Sequence, residues 1–342
     1  MKKILFAVTE ENFPTVVTPE VEAQMKALGE VVQRKDLVNG YRKPREGYDP
    51  EAVYAEAIAE VQPEIVITGW GTAMLTLAAY QSCPGLKYLC HCAGTVRKIV
   101  GREVIEGGLL VSNWGSLPAR TVAEASLMMT LAGLRKVSGF VRLLDQGGWR
   151  TDDFTGVSLF ERSVGLQGLG VIAQEFVRLL EPFGCRVSAY SPHCPDEVFE
   201  RLGVRRETSL AKLYSESDVV SIHASNTAEN HHVVNREILE GMREGAVLVN
   251  TARGAIIDES ALAEVLRAGR IWAALDVLEE EPVPADSPLR GLGNVLLMPH
   301  QGGPTVDRRK DMGQHALENL VRYVNGEAVT DVVDVRKYDL IT

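Results

Sequence analysis

Three short segments hold the side chains best suited to chemistry. The first is Val249-Asn250-Thr251-Ala252-Arg253-Gly254-Ala255-Ile256-Ile257-Asp258, in which Arg253 follows a strand-like apolar run. A guanidinium there could grip a carboxylate with two parallel hydrogen bonds, or it could be a surface arginine paired with Asp258. The second is Ala274–Pro282. Asp276 closes an apolar run, and Glu279, Glu280 and Glu281 follow in a charged one. The third is Met298-Pro299-His300-Gln301-Gly302-Gly303-Pro304-Thr305. Read alone, His300 is more often a structural imidazole than a proton carrier. The three together offer a cation for a carboxylate, an acid/base for a hydroxyl, and an acid to tune that base.

A fourth segment supplies what such a set needs alongside it. Ser163–Gln167 is an apolar run leading into Gly168-Leu169-Gly170-Val171-Ile172-Ala173. Ile172, Phe176, Leu179 and Leu180 then fall on one helical face, Pro182 and Gly184 stop the helix, and Arg186–Tyr190 reads as a second strand. Strand, glycine turn, helix and strand make a dinucleotide-binding unit. Gly168 permits the tight turn, Gly170 admits a pyrophosphate, and Ala173 lets helix and strand pack closely. The helix N-terminus offers free N–H groups to the phosphates. With a nicotinamide dinucleotide in place, the four segments suit hydride transfer to or from a 2-hydroxy acid.

These residues need a scaffold that presents loops at strand ends. Residues 1 to 112 alternate strand and helix signals. Ile4–Val8, Ile65–Thr68, Lys87–Cys92 and Leu109–Ser112 read as strands, and Pro19–Leu28 as a helix. A long, nearly all-apolar helix is expected from Pro118 to Val137, buried between elements and available to a subunit interface. Gly147-Gly148-Trp149 marks a loop. Helices Ser209–Ser215, Asn235–Met242 and Glu259–Ala268 alternate with strands Asp218–His223, Ala246–Asn250, Trp272–Val277 and Val295–Met298. A last helix runs from Thr305 to Tyr323. This is α/β patterning with parallel sheets.

The bulk numbers narrow the partners. The chain has 342 residues and a formal net charge of −10, without a dense Lys/Arg block. Length suggests two domains, and the charge argues against nucleic acid or an anionic membrane as partner. No run of about 18 apolar residues exists, so no membrane span is expected. Ile4–Val8 is too short for a secretory signal and reads better as a strand. The five cysteines are irregularly spaced, which suggests reduced thiols and a cytoplasmic protein. Cys90-His91-Cys92 lies in a strand-like run that turns both thiols one way and His91 the other, so buried structural cysteines are expected and no metal site. His231-His232 reads as a helix-flanking pair.

The combination resembles the D-isomer-specific 2-hydroxyacid dehydrogenase family, which includes phosphoglycerate, glycerate, hydroxypyruvate and D-lactate dehydrogenases. The resemblance is carried by Val164–Ala173, Asp218–His223, Asn250–Asp258, Asp276–Pro282 and Pro299–Gly303, in the family's order. It implies two Rossmann-like, doubly wound parallel-sheet α/β domains, the second inserted in the first. Residues 1–115 plus 304–342 would be a flavodoxin-like substrate domain and 116–303 the dinucleotide domain, with the active site in the cleft. It implies catalytic roles for Arg253 (carboxylate and carbonyl binding), His300 (general acid/base) and Glu281 (its partner). Glu281 would favour the protonated imidazole and so keep a proton available. The cofactor residues implied are Gly168, Gly170, Val171, Ile172, Ser191, Pro192, Thr251, Ala252, Asp276, Gly302 and Gly303. Gly94 and Thr95 join Arg253 and His300 in binding substrate. A homodimer is implied. A corepressor-like NAD(H)-sensing module on the same fold is the alternative, and Glu281 argues against formate-type chemistry, where glutamine is usual.

Three departures bear on specificity. Ser191 stands where an acid usually binds the adenosine ribose. Serine does not repel a 2′-phosphate, yet residues 192–194 bring no Arg or Lys, so NAD is favoured over NADP. In Ala93–Lys98, Arg97 and Lys98 replace the usual Asp-Asn. Arg97 either favours a substrate with a second anionic group or pairs with Glu103 or Glu106. Ala224-Ser225-Asn226 lacks the usual proline and touches the adenosine rim. Trp70 either walls the substrate pocket or packs the first domain.

Overall fold

The computed structural model describes residues 2–8, 13–34, 37 and 49–340. The chain divides into two compact units, one of residues 1–117 and 305–342, the other of residues 118–304.

In the first unit β1 (Lys2–Ala7), β2 (Gly29–Gln33), β3 (Ile65–Thr68), β4 (Tyr88–His91) and β5 (Leu110–Ser112) form a parallel sheet in the order β2-β1-β3-β4-β5. Alternate residues face opposite sides of a strand. Leu5 and Ala7 pack with Tyr54, Ile58, Val66 and Leu89. Ile4 and Phe6 pack on the other side with Ile65, Ile67, Met312 and Leu320. Both faces are thus covered, as parallel strands require. Thr18 caps the helix Pro19–Leu28 by accepting the Val21 N–H at 3.4 Å. Cys90 and Cys92 share the second core. His91 is buried, and its Nδ1 shares a 2.9 Å hydrogen bond with Thr68 Oγ1. Trp70 meets Trp114 edge to face at 5.7 Å and lies under Arg309, so it packs within this unit.

In the second unit the order is β12-β11-β10-β9-β6-β7-β8, all parallel. The strands are β6 (Ser163–Gln167), β7 (Arg186–Tyr190), β8 (Arg205–Arg206), β9 (Val219–Ile222), β10 (Val247–Asn250), β11 (Trp272–Leu275) and β12 (Val295–Leu297). Chain order runs outward from β6 to β8, then restarts at β9 on the other side of β6. That reversal opens a crevice at the carboxyl ends of β6 and β9, where such sheets bind ligands.

The long helix expected from 118 to 137 is Ala119–Leu134, and a second helix that the sequence reading did not include, Val137–Asp145, follows it. Lys136 breaks them with a left-handed φ of 56°. Its stem is buried and its ammonium lies 4.5 Å from the Trp272 ring centre, a cation–π contact that fixes the corner. The first helix buries Val122, Ala123, Ser126, Met129 and Thr130, and Gly133 admits Val247 where a Cβ would come within 2.5 Å. The last expected helix begins with a 3-10 turn (Val306–Arg308) and continues as Arg309–Val324. A further helix, Val335–Leu340, escapes the sequence reading. It is too short for a periodic signal.

Candidate active site

Gly168 ends β6 at φ +95°, and a Cβ there would stand 2.9 Å from the His223 carbonyl and the Ala224 nitrogen. Only glycine tolerates both demands. Gly170 is the N-cap of the helix Val171–Leu180 and carries no side-chain cap. A Cβ built on it meets nothing within 4 Å, so the helix N-terminus is open to a ligand. Val171 is exposed, Ile172 half-buried and Ala173 fully buried against the sheet. His223, past β9, keeps a buried Nδ1 with no hydrogen-bond partner, while its Nε2 bonds Ser221 Oγ at 2.9 Å. An open cradle of orphan N–H groups beside the strand reversal fits a dinucleotide pyrophosphate.

Ser191 and Pro192 follow β7 at the adenosine end of such a crevice. A cation absent from residues 192–194 arrives here from β8. Arg206 donates to the Ser191 carbonyl at 3.2 Å and the Cys194 carbonyl at 2.6 Å, and pairs with Asp196 at 2.8 Å. Sequence spacing gave no sign of this, because the partner lies on a neighbouring strand.

Past β10, fully buried Asn250 shapes the next loop. Its Nδ2 donates to the Arg253 carbonyl at 2.8 Å and its Oδ1 accepts the Ala252 N–H at 3.0 Å. Thr251 is tied to Ser126 by a buried 2.8 Å hydroxyl pair. Arg253 Nη1 donates to the Ala252 carbonyl at 2.6 Å. Asp258 caps the helix Glu259–Arg267 by accepting the Ala261 N–H at 2.9 Å. Gly254 sits against bare backbone: a Cβ there would fall 1.9 Å from the Leu278 carbonyl carbon.

Asp276 is buried at the end of β11 and grips the loop after β12. Its backbone carbonyl accepts the His300 N–H at 2.8 Å, and its carboxylate accepts those of Gln301 at 2.7 Å and Gly302 at 2.8 Å. Gly302 has no room for a side chain, since a Cβ would meet Asp276 Oδ2 at 2.7 Å, whereas the space beside Gly303 is open. His300 is held at φ +54°.

Its Nδ1 donates to Glu281 Oε2 at 2.6 Å. The other carboxylate oxygen accepts the Leu278 N–H at 3.0 Å. Burial pushes the Glu281 carboxyl up, but the bonds from His300 and Leu278 and the charges of His300 and Arg253 outweigh it and leave it below its ordinary value. Glu281 therefore stays ionised at neutral pH, and Nε2 is the His300 ring nitrogen outside this pair. Both side chains remain over a third exposed, so substrate can reach the pair.

In the first unit, Gly94 and Thr95 follow β4. Gly94 packs on Trp114, whose ring a Cβ would approach to 2.9 Å, and its carbonyl accepts from Asn113 at 2.7 Å. Arg97 does not pair with Glu103 or Glu106. It donates to the backbone carbonyls of Tyr338 (3.1 Å) and Asp339, and Glu106 pairs instead with Arg102. The C-terminal helix that attracts Arg97 was not foreseen, hence the difference.

Residues 127–302 match the D-isomer specific 2-hydroxyacid dehydrogenase, NAD binding domain. The chain belongs to the D-isomer specific 2-hydroxyacid dehydrogenase family. It is 33% identical over 273 residues to a D-3-phosphoglycerate dehydrogenase of Methanocaldococcus jannaschii, covering 80% of this chain and 52% of that one. It is 32% identical over 260 residues to a glyoxylate reductase of Korarchaeum cryptofilum, covering 75% and 78%. The chain thus spans about half the length of some of the curated relatives it matches. A solved structure of a Thermus thermophilus protein superposes with a TM-score of 0.78 at 27% identity, over 97% of this chain and 99% of that one. The matched stretch is a NAD binding domain, and the glycine turn described above lies within it. Among the described residues no helix is long and apolar enough to cross a membrane.

Proposed function

We propose that this protein is an oxidoreductase that interconverts a small D-2-hydroxy acid and its 2-oxo acid, with a nicotinamide dinucleotide as partner. The observation that carries this is the 2.6 Å pair between His300 and ionised Glu281, within reach of the charge of Arg253. Gly168, Gly170, Val171, Ile172, Thr251, Ala252 and Gly303 would hold the dinucleotide, which would supply or accept a hydride.

The protein's own groups do the rest. Arg253 holds the substrate carboxylate and polarises the neighbouring carbonyl. His300 Nδ1–H is committed to Glu281, so Nε2–H faces the carbonyl oxygen and gives it a proton in reduction. In oxidation neutral Nε2 takes the hydroxyl proton, and Glu281 stabilises the imidazolium so formed. Asp276 keeps His300 in place and has lone pairs left for a carboxamide. The acids named for the relatives, phosphoglycerate and glyoxylate, define the substrate class to test first.

NAD is the proposed dinucleotide. Arg206, which donates to the Ser191 carbonyl, is engaged with a second carbonyl and with Asp196, so the adenosine rim offers a 2′-phosphate little net positive charge. A homodimer fits the exposed apolar residues Val137, Val141 and Leu144, which share one face of a helix near exposed Trp149. Five free thiols fit a cytoplasmic setting. The deciding experiment is turnover of a panel of 2-oxo acids with NADH and NADPH. Dinucleotide binding without turnover of any acid would favour the sensing module instead.

A further inference from the structure

Outside the proposed active site, one cluster gathers three good metal donors. His231 and His232 lie in a turn, and their rings stack with centres 4.0 Å apart. Adjacent residues in extended chain point their side chains apart. Here His232 adopts φ +52°, which brings both imidazoles to one side. His232 Nε2 is 2.7 Å from Glu279 Oε1, and one donor atom from each of the three side chains lies within 4.8 Å of the others.

We propose that His231, His232 and Glu279 bind a divalent transition-metal ion of the zinc class, and that the bound ion locks the loop carrying Glu281. Imidazole and carboxylate bind zinc at roughly 2.0–2.2 Å, which sets tetrahedral donors about 3.4 Å apart. The closest pair here must open by under about 1 Å and the widest close by roughly 1.4 Å, movements that exposed side chains make readily. Two nitrogens and one oxygen suit zinc, nickel or copper, whereas magnesium and calcium prefer all-oxygen shells. Water completes the coordination. The surroundings favour a cation, since the Glu259 side chain lies beside the cluster and accepts the Glu279 N–H at 2.5 Å.

The cluster touches both loops of the proposed site. His232 N–H donates to the Ala255 carbonyl at 2.9 Å and Val234 N–H to that of Ile256 at 3.1 Å, in the turn after Arg253. Glu279 lies two residues before Glu281. An ion joining these segments restrains both.

The test is calorimetric titration of the full chain with zinc chloride, beside His231→Gln, His232→Asn and Glu279→Gln. Asparagine tolerates the left-handed backbone at 232. Wild type should take up one equivalent that magnesium does not displace, and each variant should bind about tenfold more weakly or worse. His300→Asn should bind zinc as wild type does, which separates this site from the proposed catalytic pair. Zinc should also slow amide exchange at Leu278 and Glu279. Cobalt substitution should give d–d bands without a thiolate charge-transfer band. No zinc uptake by wild type, undiminished affinity in the three variants, a thiolate band, or exchange unchanged by bound zinc would each overturn the proposal.

Discussion

Asp276 holds His300 by three hydrogen bonds: one from the histidine's own N–H to the Asp276 carbonyl, and two from the next residues' N–H groups to its carboxylate. A left-handed backbone at a non-glycine residue costs about 1–2 kcal/mol, and this grip offsets it. Asp276 is thus a positioning residue for His300. Asp276→Asn turns one acceptor into a donor facing an N–H. We expect kcat for 2-oxo acid reduction to fall at least about tenfold, with a smaller change in KM. Steady-state kinetics check this, and an unchanged kcat would show that the loop holds its shape unaided.

The proton path predicts a second result. His300→Asn and Glu281→Gln should each lower kcat by about 10²–10⁴ with dinucleotide affinity nearly intact, as measured by fluorescence titration. Arg253→Gln should instead cost kcat/KM about 10- to 100-fold, the worth of charged hydrogen bonds of about 1.5–3 kcal/mol.

Cofactor choice gives a third. KM for NADH should lie below KM for NADPH. Ser191→Asp should widen that gap by about tenfold, because a carboxylate repels the 2′-phosphate and accepts from ribose hydroxyls. A lower KM for NADPH in the wild type would reverse our assignment.

Acid stability gives a fourth. Burial lowers His91 to about 3 and His223 to about 4, so both are neutral in the folded protein at neutral pH. An unfolded histidine takes up its proton near 6.5. Between 6.5 and those lower values the unfolded chain binds more protons, so stability is full above 6.5 and falls as the solution is acidified. Urea titrations from pH 7 to pH 4 should show this loss. His91→Gln should show a shallower slope than wild type, even if it starts less stable.

Much of this was legible in the sequence because the chemistry is local. The glycine turn, the ends of β10 and β11 and the helix Pro19–Leu28 each announce themselves through neighbouring residues. The pairing of Glu281 with His300 was implied by the family resemblance, since the residues alone left the acid open within 276–281. What escaped depends on partners distant in sequence. Arg206 reaches the Ser191 loop from the next strand, and Arg97 turns to a helix more than two hundred residues away. The helix after Lys136 was missed because the corner before it is fixed by the contact of Lys136 with Trp272, far along the chain. The role of Asn250 was missed because a buried amide at a strand end looks like any turn residue.

Gly254 has a mechanical consequence. Main chain rests on main chain there, with no flexible side chain as cushion between the Arg253 turn and the Leu278 peptide. Thermal jostling of one segment must carry the other along. The guanidinium and the carboxylate therefore drift together rather than against each other, and their separation is steadier than the absolute position of either.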